Sequence, residues 1–170
     1  MREFLLRLVM LSVVTIVADR AEAQHSRINF SVGGNLAAGD VKYDGDSAVL
    51  NMIRFREGVL TAFSNCAGNP RQAACVHWSE NGQQLGGGPR VYEGSSPVTA
   101  MIAYKDGVLT AFSNCGGGQP ACIHWSENGK QLGGGPRVYE GTSLVTAMIA
   151  HKDGVLTAFS NCSGDPRQRA

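Results

Sequence analysis

The sequence predicts an all-β protein of tandem four-stranded repeats, with sheets arranged like the blades of a propeller. The nine residue types of 107–115 recur in the same order at 58–66 and at 154–162, so the chain is a tandem array. Each repeat contains four short β-rich runs separated by turn signals. Neither face of the run 108–113 carries a charge, as expected for a sheet packed on both sides, such as a propeller blade.

The strands follow in order along one unit. Residues 98–104 and 108–113 form two runs separated by Lys-Asp-Gly, a hairpin signal in which Gly107 is expected to supply a positive φ. The third strand, 123–126, ends at a Glu-Asn-Gly turn signal, and the short fourth strand, 137–140, follows a Gly-Gly-Gly-Pro breaker. No useful helical periodicity follows the N-terminal apolar run, so helices are expected to be scarce.

The phase of the repeat leaves several forms of assembly open. Residues 28–31 and 43–45 stand where strands three and four of later units stand, and the last strands match strands one and two. The units fall at about 28–75, 76–122 and 123–170. Three blades are fewer than the four to eight of ordinary propellers. Two chains forming a six-bladed ring, a fragment of a longer array, and a three-fold β-trefoil or β-prism are the alternatives.

The N-terminus predicts a signal peptide at 1–23, followed by a single repeat domain at 24–170. Two arginines, an apolar run at 8–18 and Ala21-Glu22-Ala23 give the charged region, the apolar region and the cleavage pattern. An uncleaved anchor is the alternative, but the run is short for a membrane span, and no other run approaches that length. We therefore expect a secreted, extracellular or periplasmic protein.

The cysteines agree with export to an oxidising compartment. Position in the repeat predicts disulfides between Cys66 and Cys75 and between Cys115 and Cys122. A zinc site is the alternative, but the spacing is not Cys-x-x-Cys and no further pair completes four ligands. Cys162 is left unpaired, which suggests a bond between chains of a homodimer, or a truncated array.

Charge and motif content exclude several classes of function. The net charge is +1 with scattered basic residues, so neither nucleic acid nor an anionic membrane is an expected partner. The glycine triplets 86–88 and 133–135 lack the following Lys-Ser/Thr and helix of a phosphate loop, so close backbone packing or a turn is expected. His77 and His124 are interpreted as structural or surface residues, and no metal, cofactor or catalytic group is predicted.

The candidate ligand-binding residues belong to a repeated His-Trp-Ser-Glu-Asn-Gly segment. They are Trp78, Glu80, Asn81, Trp125, Glu127 and Asn128. An indole offers a flat apolar face for a sugar ring, and the neighbouring polar groups suit its hydroxyls. Packing of the indole between blades is the structural alternative.

A second repeated set has two interpretations of its own. Arg90 and Arg137, with Tyr92 and Tyr139, are expected either to rim a pocket or to cover blade edges. Equivalent groups repeated around an array suit multivalent binding. They do not suit an enzyme, which needs unlike groups converging on one point.

The Trp-Ser-x-Asn-Gly turn and the Asp-Gly-Val-Leu hairpin resemble the blade repeats of secreted tachylectin- and tectonin-type propeller lectins. The resemblance covers residues 28–162 as a pattern of strand and turn lengths. It implies recognition of surface glycans without catalysis, and it carries over no binding residue. A structural or adhesive protein-interaction repeat is the second hypothesis, and a hydrolase fragment whose catalytic residues lie outside this chain is the third.

Overall fold

A computed structural model describes residues 26–30, 40–66, 72, 74–116 and 118–161. The predicted signal peptide and Cys162 lie outside these residues. The described part contains twelve strands. They are β1 (Ser26–Phe30), β2 (Asp40–Gly45), β3 (Val49–Phe55), β4 (Gly58–Phe63), β5 (Ala74–Glu80), β6 (Arg90–Gly94), β7 (Val98–Tyr104), β8 (Gly107–Phe112), β9 (Ala121–Glu127), β10 (Arg137–Gly141), β11 (Val145–His151) and β12 (Gly154–Phe159).

The strands form two complete blades and two half-blades. Strands β3-β4-β5-β6 make the first blade and β7-β8-β9-β10 the second, each an antiparallel sheet in chain order. Strands β1–β2 form the N-terminal half-blade and β11–β12 the C-terminal half-blade. The predicted all-β repeat fold is therefore confirmed. The described strands do not close into a barrel or ring.

Strand pairing shows that each half-blade is half of the same unit. In β1–β2, Ile28 lies opposite Tyr43, and the register shifts immediately afterwards. The equivalent pairs in the blades, Val76–Tyr92 and Ile123–Tyr139, are followed by the same shift. The pair β11–β12 likewise repeats the register of β3–β4. The N-terminal half-blade thus supplies strands three and four, and the C-terminal half-blade supplies strands one and two, as the sequence phase predicts.

The core lies between sheets rather than on one face of each sheet. The first blade contributes Leu60, Ala62 and Val76 to a buried cluster, and the second blade contributes Val108 and Phe112 among others. A second cluster joins the other face of the second blade to the C-terminal half-blade. The second blade therefore buries side chains on both faces, which explains why its run 108–113 has no charged face. The innermost strands β3, β7 and β11 lie side by side in that order.

The hairpin turns are where predicted, but the glycine has a different role. The positive φ belongs to Lys105 (φ 49°), and Arg56 and Lys152 repeat it. Gly107 is instead the first residue of β8. A Cβ at Gly107 would lie 2.5 Å from the carbonyl oxygen of Ser126 and 2.6 Å from the Trp125 ring. The glycine is needed for close approach between strands, so the predicted reason for it was wrong.

The two predicted disulfides differ in the structure. Cys115 and Cys122 are joined, with their Cα atoms 5.9 Å apart. Cys66 and Cys75 are buried thiols, so the second predicted bridge is not formed here. The Cys75 Sγ donates to the Asn65 carbonyl oxygen at 3.2 Å. This hydrogen bond and the apolar packing against Phe63 stabilise the reduced pair.

Candidate functional site

A cleft with a volume of about 440 Å³ lies between the first and second blades. We call it the Trp78 cleft. The first blade lines it with Phe55, Trp78 and Arg90, and the second blade lines it with the turn at Asn128 and Lys130. The first-blade wall combines aromatic and aliphatic side chains with Arg56 and Arg90, and it faces a short polar turn. Apolar surface with a few polar groups is the usual composition of a small-ligand site.

An equivalent cleft lies one repeat earlier, between the N-terminal half-blade and the first blade. Its volume is about 260 Å³, and we call it the Phe30 cleft. Phe30 occupies the position of Trp78, and Asn81 occupies the position of Asn128. A backbone hydrogen bond fixes the same contact between sheets in both places, from Leu85 N to Lys42 O at 3.3 Å and from Leu132 N to Val91 O at 3.1 Å. The site is therefore repeated by the fold, with an altered aromatic ring.

Local packing holds the Trp78 indole in place at the cleft wall. Trp78 lies opposite Leu60 in the neighbouring strand and is half-buried. The edge of its ring faces Phe55 with centroids 6.2 Å apart. A Cβ at Gly58 would lie 2.5 Å from the indole, so a glycine is required beneath the ring. The Trp78 amide also donates to the Pro89 carbonyl oxygen at 2.9 Å.

The opposite wall is a tight turn made by Asn128 and Gly129. Both residues have positive φ, 70° and 64°, as in the two central residues of a type I′ turn. Arg56 of the first blade donates from Nη2 to the Asn128 Oδ1 atom at 2.9 Å. This contact crosses from one blade to the next and orients the amide. Its nitrogen keeps two hydrogen-bond donors for a ligand.

The structure brings only some of the predicted binding residues together. Trp78 shares its cleft with Asn128 of the following unit, while Asn81 of its own unit lines the Phe30 cleft. Glu80 and Glu127 are exposed and line neither cleft. Trp125 is half-buried beside Tyr104, with centroids 6.4 Å apart, and it also lines neither cleft.

Arg56 and Lys130 are cleft residues that the sequence analysis missed. Both lie beside glycine-containing turn signals, which is the only sequence feature that marks them. With Arg90 they place three cationic side chains around the Trp78 cleft. Arg90 is also paired with Glu93, at 2.8 Å between Nη1 and Oε2. Arg56 and Lys130 still give the cleft lining a net positive charge, and no carboxylate is among the residues that line it.

A second kind of cleft also recurs, and it is smaller and more polar. One copy, of about 140 Å³, includes Tyr43, His77 and Arg90, and the other, of about 120 Å³, includes the equivalent Tyr92, His124 and Arg137. Each tyrosine hydroxyl donates to a backbone carbonyl oxygen of a nearby serine. Each arginine is paired with a glutamate at 2.8 Å. Tyr92 and Arg137 thus rim one cleft together.

His77 and His124 both pack inside their blades and bond to a backbone carbonyl oxygen. His77 is buried, with its Nδ1 atom 3.0 Å from the Gly88 carbonyl oxygen, and its ring contacts Phe63 edge to face. Burial lowers the pKa of His77, which favours the neutral imidazole. His124 repeats the contact with Gly135 at 3.0 Å. Across the described ranges, no group of three His, Cys, Asp or Glu side chains is placed to hold a metal ion.

Comparison with known proteins gives little information on function. No protein-family model and no curated protein matches the chain. The computationally designed Ika8 protein is similar over 74% of this chain and 36% of its own, at 17% identity and a TM-score of 0.45. The designed Ika4 protein is similar over 73% of this chain and 69% of its own, at 15% identity and a TM-score of 0.41.

This chain therefore spans about a third of the Ika8 chain, 36%. Both likenesses are low in identity and in TM-score. The resemblance to tachylectin- and tectonin-type lectins therefore stays a prediction. Within the part of the chain that the structure describes, no helix is long and apolar enough to cross a membrane.

Proposed function

We propose that this protein is a secreted, non-catalytic binding module that takes carbohydrate in the Trp78 cleft. The observation that carries the proposal is the half-buried indole of Trp78 facing the Asn128 turn across a cleft of about 440 Å³. The indole supplies an apolar surface for the CH face of a sugar ring. The Asn128 amide supplies donors for hydroxyl groups. The Phe30 cleft repeats this arrangement, which suits weak sites that act together.

The charge of the rim favours acidic glycans. Arg56, Arg90 and Lys130 line the Trp78 cleft without a carboxylate in the lining. A carboxylated or sulfated sugar gains a charge-assisted hydrogen bond from such donors, stronger than a neutral one. Because the rim is exposed, this attraction is screened by salt. The disulfide Cys115–Cys122 supports the proposed export, since such bonds persist in oxidising compartments.

A glycan-array screen of the oxidised chain tests the proposal. We expect binding to acidic glycans, weakening between 50 and 500 mM salt as the rim is screened to a Debye length of about 4 Å. Trp78→Ala removes the stacking surface and is expected to abolish the signal. Asn128→Gly removes the amide but keeps a residue that accepts the positive φ of 70°, so it gives a loss of binding in a chain that still folds.

Glu127→Gln is the matched control. Glu127 precedes Asn128 but is exposed and outside the cleft lining, so its replacement is expected to leave binding unchanged. Absence of binding by a folded wild-type chain would contradict the proposal for the glycans on the array. Binding that survives both Trp78→Ala and Asn128→Gly would place the sugar elsewhere on the molecule.

The second candidate function is a structural or adhesive protein-interaction repeat. Its support is that Trp78 also packs against the core cluster, while large apolar side chains are exposed at the half-blades. In that case no glycan on the glycan array gives a binding signal, and Trp78→Ala lowers only the stability of the fold. A thermal-unfolding measurement beside the screen distinguishes this outcome from a loss of glycan binding.

A further inference from the structure

Each half-blade leaves one strand edge without a neighbour among the described strands. Strand β4 pairs with both β3 and β5, whereas its equivalent β12 pairs only with β11. Strand β5 pairs with both β4 and β6, whereas its equivalent β1 pairs only with β2. An unpaired edge presents free backbone donors and acceptors and is a template for another strand. The two free edges are those that face each other inside a complete blade.

The residues on these two edges match in register. In the first blade, Leu60 lies opposite Trp78 and Ala62 opposite Val76. Carrying that register to β12 and β1 places Leu156 opposite Phe30 and Ala158 opposite Ile28. Both new pairs are apolar, like the pairs that they copy. A shift of one residue would turn every side chain to the wrong face, so the match is specific.

The apolar side chains left exposed are those that a completed blade would cover. Leu156 is 55% exposed, whereas its equivalent Leu60 is fully buried. At the other end of the chain, Met52 is 48% exposed, whereas its equivalents Met101 and Met148 are 4% and 8% exposed. Met101 and Met148 are covered by the blade or half-blade beside them. Adding inner strands to the N-terminal half-blade would therefore cover Met52.

One assembly pairs the free edge of β1 and the free edge of β12 at the same time. We propose that a second copy of this chain pairs its β1 with β12, and that the reciprocal pairing closes a six-bladed ring. Each composite blade then contains β11 and β12 of one copy and β1 and β2 of the other. The face of the composite blade that carries Ile149 and Leu156 lies against the face of the partner's first blade on which Met52 is exposed. A closed head-to-tail contact of this kind pairs the free edge of β1 and the free edge of β12 in both copies.

The number of blades selects two copies. The described residues of each chain supply two blades and two half-blades, which together make three. Propellers close with four to eight blades, so one copy gives too few, three copies give nine, and two copies give six. The contact needs no ligand and leaves the Trp78 cleft unchanged, so it is tested separately from glycan binding at Trp78; it does cover Met52, which lines the Phe30 cleft.

The partner would also complete a third polar cleft. Tyr139 and Ser143 form one wall, with the tyrosine hydroxyl donating to the Ser143 carbonyl oxygen at 3.0 Å. Ser143 also bonds to Asn161. The equivalent wall at Tyr92 faces His124 and Arg137. In the ring, the partner's Asn29 stands at the position equivalent to His124, and the partner's Val41 stands at the position equivalent to Arg137. The composite cleft therefore lacks both the imidazole and the arginine.

Cysteine pairs test the register directly. In a Cys162→Ser background, Ala158→Cys with Ile28→Cys places two thiols on facing residues of the proposed ladder. Facing Cα atoms in an antiparallel pair are about 4.5–5.5 Å apart, within the range that a disulfide spans. We expect a covalent dimer on a non-reducing gel and twice the monomer mass by light scattering. Ala158→Cys with Asn29→Cys is the control, because neighbouring residues point to opposite faces.

The position of the new disulfide decides between the proposal and its competitors. A cross-link within one chain, at monomer mass, would show that the chain closes on itself and would overturn the ring. A ladder of larger species would show an open array. Absence of a cross-link from the in-register pair, in a folded protein of monomer mass, would also overturn it.

A substitution at the edge provides a second measurement. Leu156→Lys places a charge on a side chain that is 55% exposed in the single chain. The single chain is therefore expected to keep its far-ultraviolet circular dichroism, while the mass in solution falls by half. A variant that stays a dimer would contradict burial of Leu156 between copies.

Discussion

The glycine triplet 86–88 allows a sharp test of how the structure positions Trp78. A Cβ at Gly88 would overlap the backbone carbonyl oxygen of Trp78. That carbonyl cannot retreat, because the Trp78 amide is bonded to Pro89 at 2.9 Å and its strand is paired on both sides. Gly87→Ala is the matched control. Its Cβ would first meet the tip of the flexible Gln84 side chain, at 3.3 Å.

The two substitutions should therefore have opposite signs. Overlap with fixed backbone belongs at the upper end of overpacking costs, about 3 kcal/mol for Gly88→Ala. Gly87→Ala lowers the entropy of the unfolded chain and is expected to stabilise by about 0.4–1 kcal/mol. For a chain of 170 residues, each kcal/mol shifts Tm by about 2–4 °C. Gly88→Ala should then lower Tm by about 6–12 °C, and Gly87→Ala should raise it by about 1–4 °C.

Differential scanning calorimetry of the two variants and the wild type measures these shifts. The second triplet provides a replicate, since a Cβ at Gly135 would overlap the Trp125 carbonyl oxygen, while one at Gly134 would lie 3.5 Å from Gln131. Equal Tm values for Gly88→Ala and Gly87→Ala would refute the close approach of the loop to the Trp78 strand.

Three further predictions concern the cysteines and His77. The Cys115–Cys122 bond closes a loop of sequence separation 7, so its reduction should lower the free energy of unfolding by about 2.5 kcal/mol in the chain-entropy account. Urea titration with and without reductant measures this change, and equal unfolding midpoints would contradict it. Burial raises the pKa of the Cys66 and Cys75 thiols, so iodoacetamide should label them only after denaturation, as peptide mass mapping would show; labelling in the native state would count against their burial. Burial also lowers the pKa of His77 below 6.5, so its neutral form is retained in the fold while the unfolded chain takes up a proton. Stability should be full above about pH 6.5 and fall as the pH is lowered, and His77→Gln should flatten that fall in urea titrations at several pH values; an identical pH profile would contradict the assignment.

The sequence predicted the strands because the information for them is local. The run 98–104 and its hairpin partner are bounded by turn signals, and the structure has β7 at Val98–Tyr104. The exception is the residue with positive φ, which is Lys105 rather than Gly107. Glycine is common both at positive φ and at close contacts. The turn signal in the sequence does not tell these two roles of glycine apart. The structure does, because the Trp125 ring lies directly beside Gly107.

The residues that line the cleft were harder to predict from the sequence, because they meet through contacts between units. Trp78 and Asn81 belong to one sequence segment, but the chain turns between them. Each side chain then lines a cleft with a different neighbour. A repeat pattern predicts that such contacts recur without predicting which residues meet. The pairing of Trp78 with Asn128 therefore required the arrangement of the blades.

The cysteines show a similar limit. Cys66–Cys75 and Cys115–Cys122 occupy equivalent positions in the repeat, so the sequence predicts a disulfide for both pairs. In the structure only the second pair is bonded. The first pair is buried against Phe63, and Cys75 has a hydrogen-bond acceptor in Asn65. The repeat fixes where two thiols meet. The surrounding contacts decide whether the reduced pair is also stable.

The central claim is that sugar binds between adjacent blades at Trp78. A crystal structure of the chain with the glycan that gives the strongest array signal tests this claim most directly. We predict a sugar ring in the Trp78 cleft, in contact with the indole and within hydrogen-bond distance of the Asn128 amide. A ring bound anywhere else, or an indole that contacts only protein atoms in the complex, would contradict it.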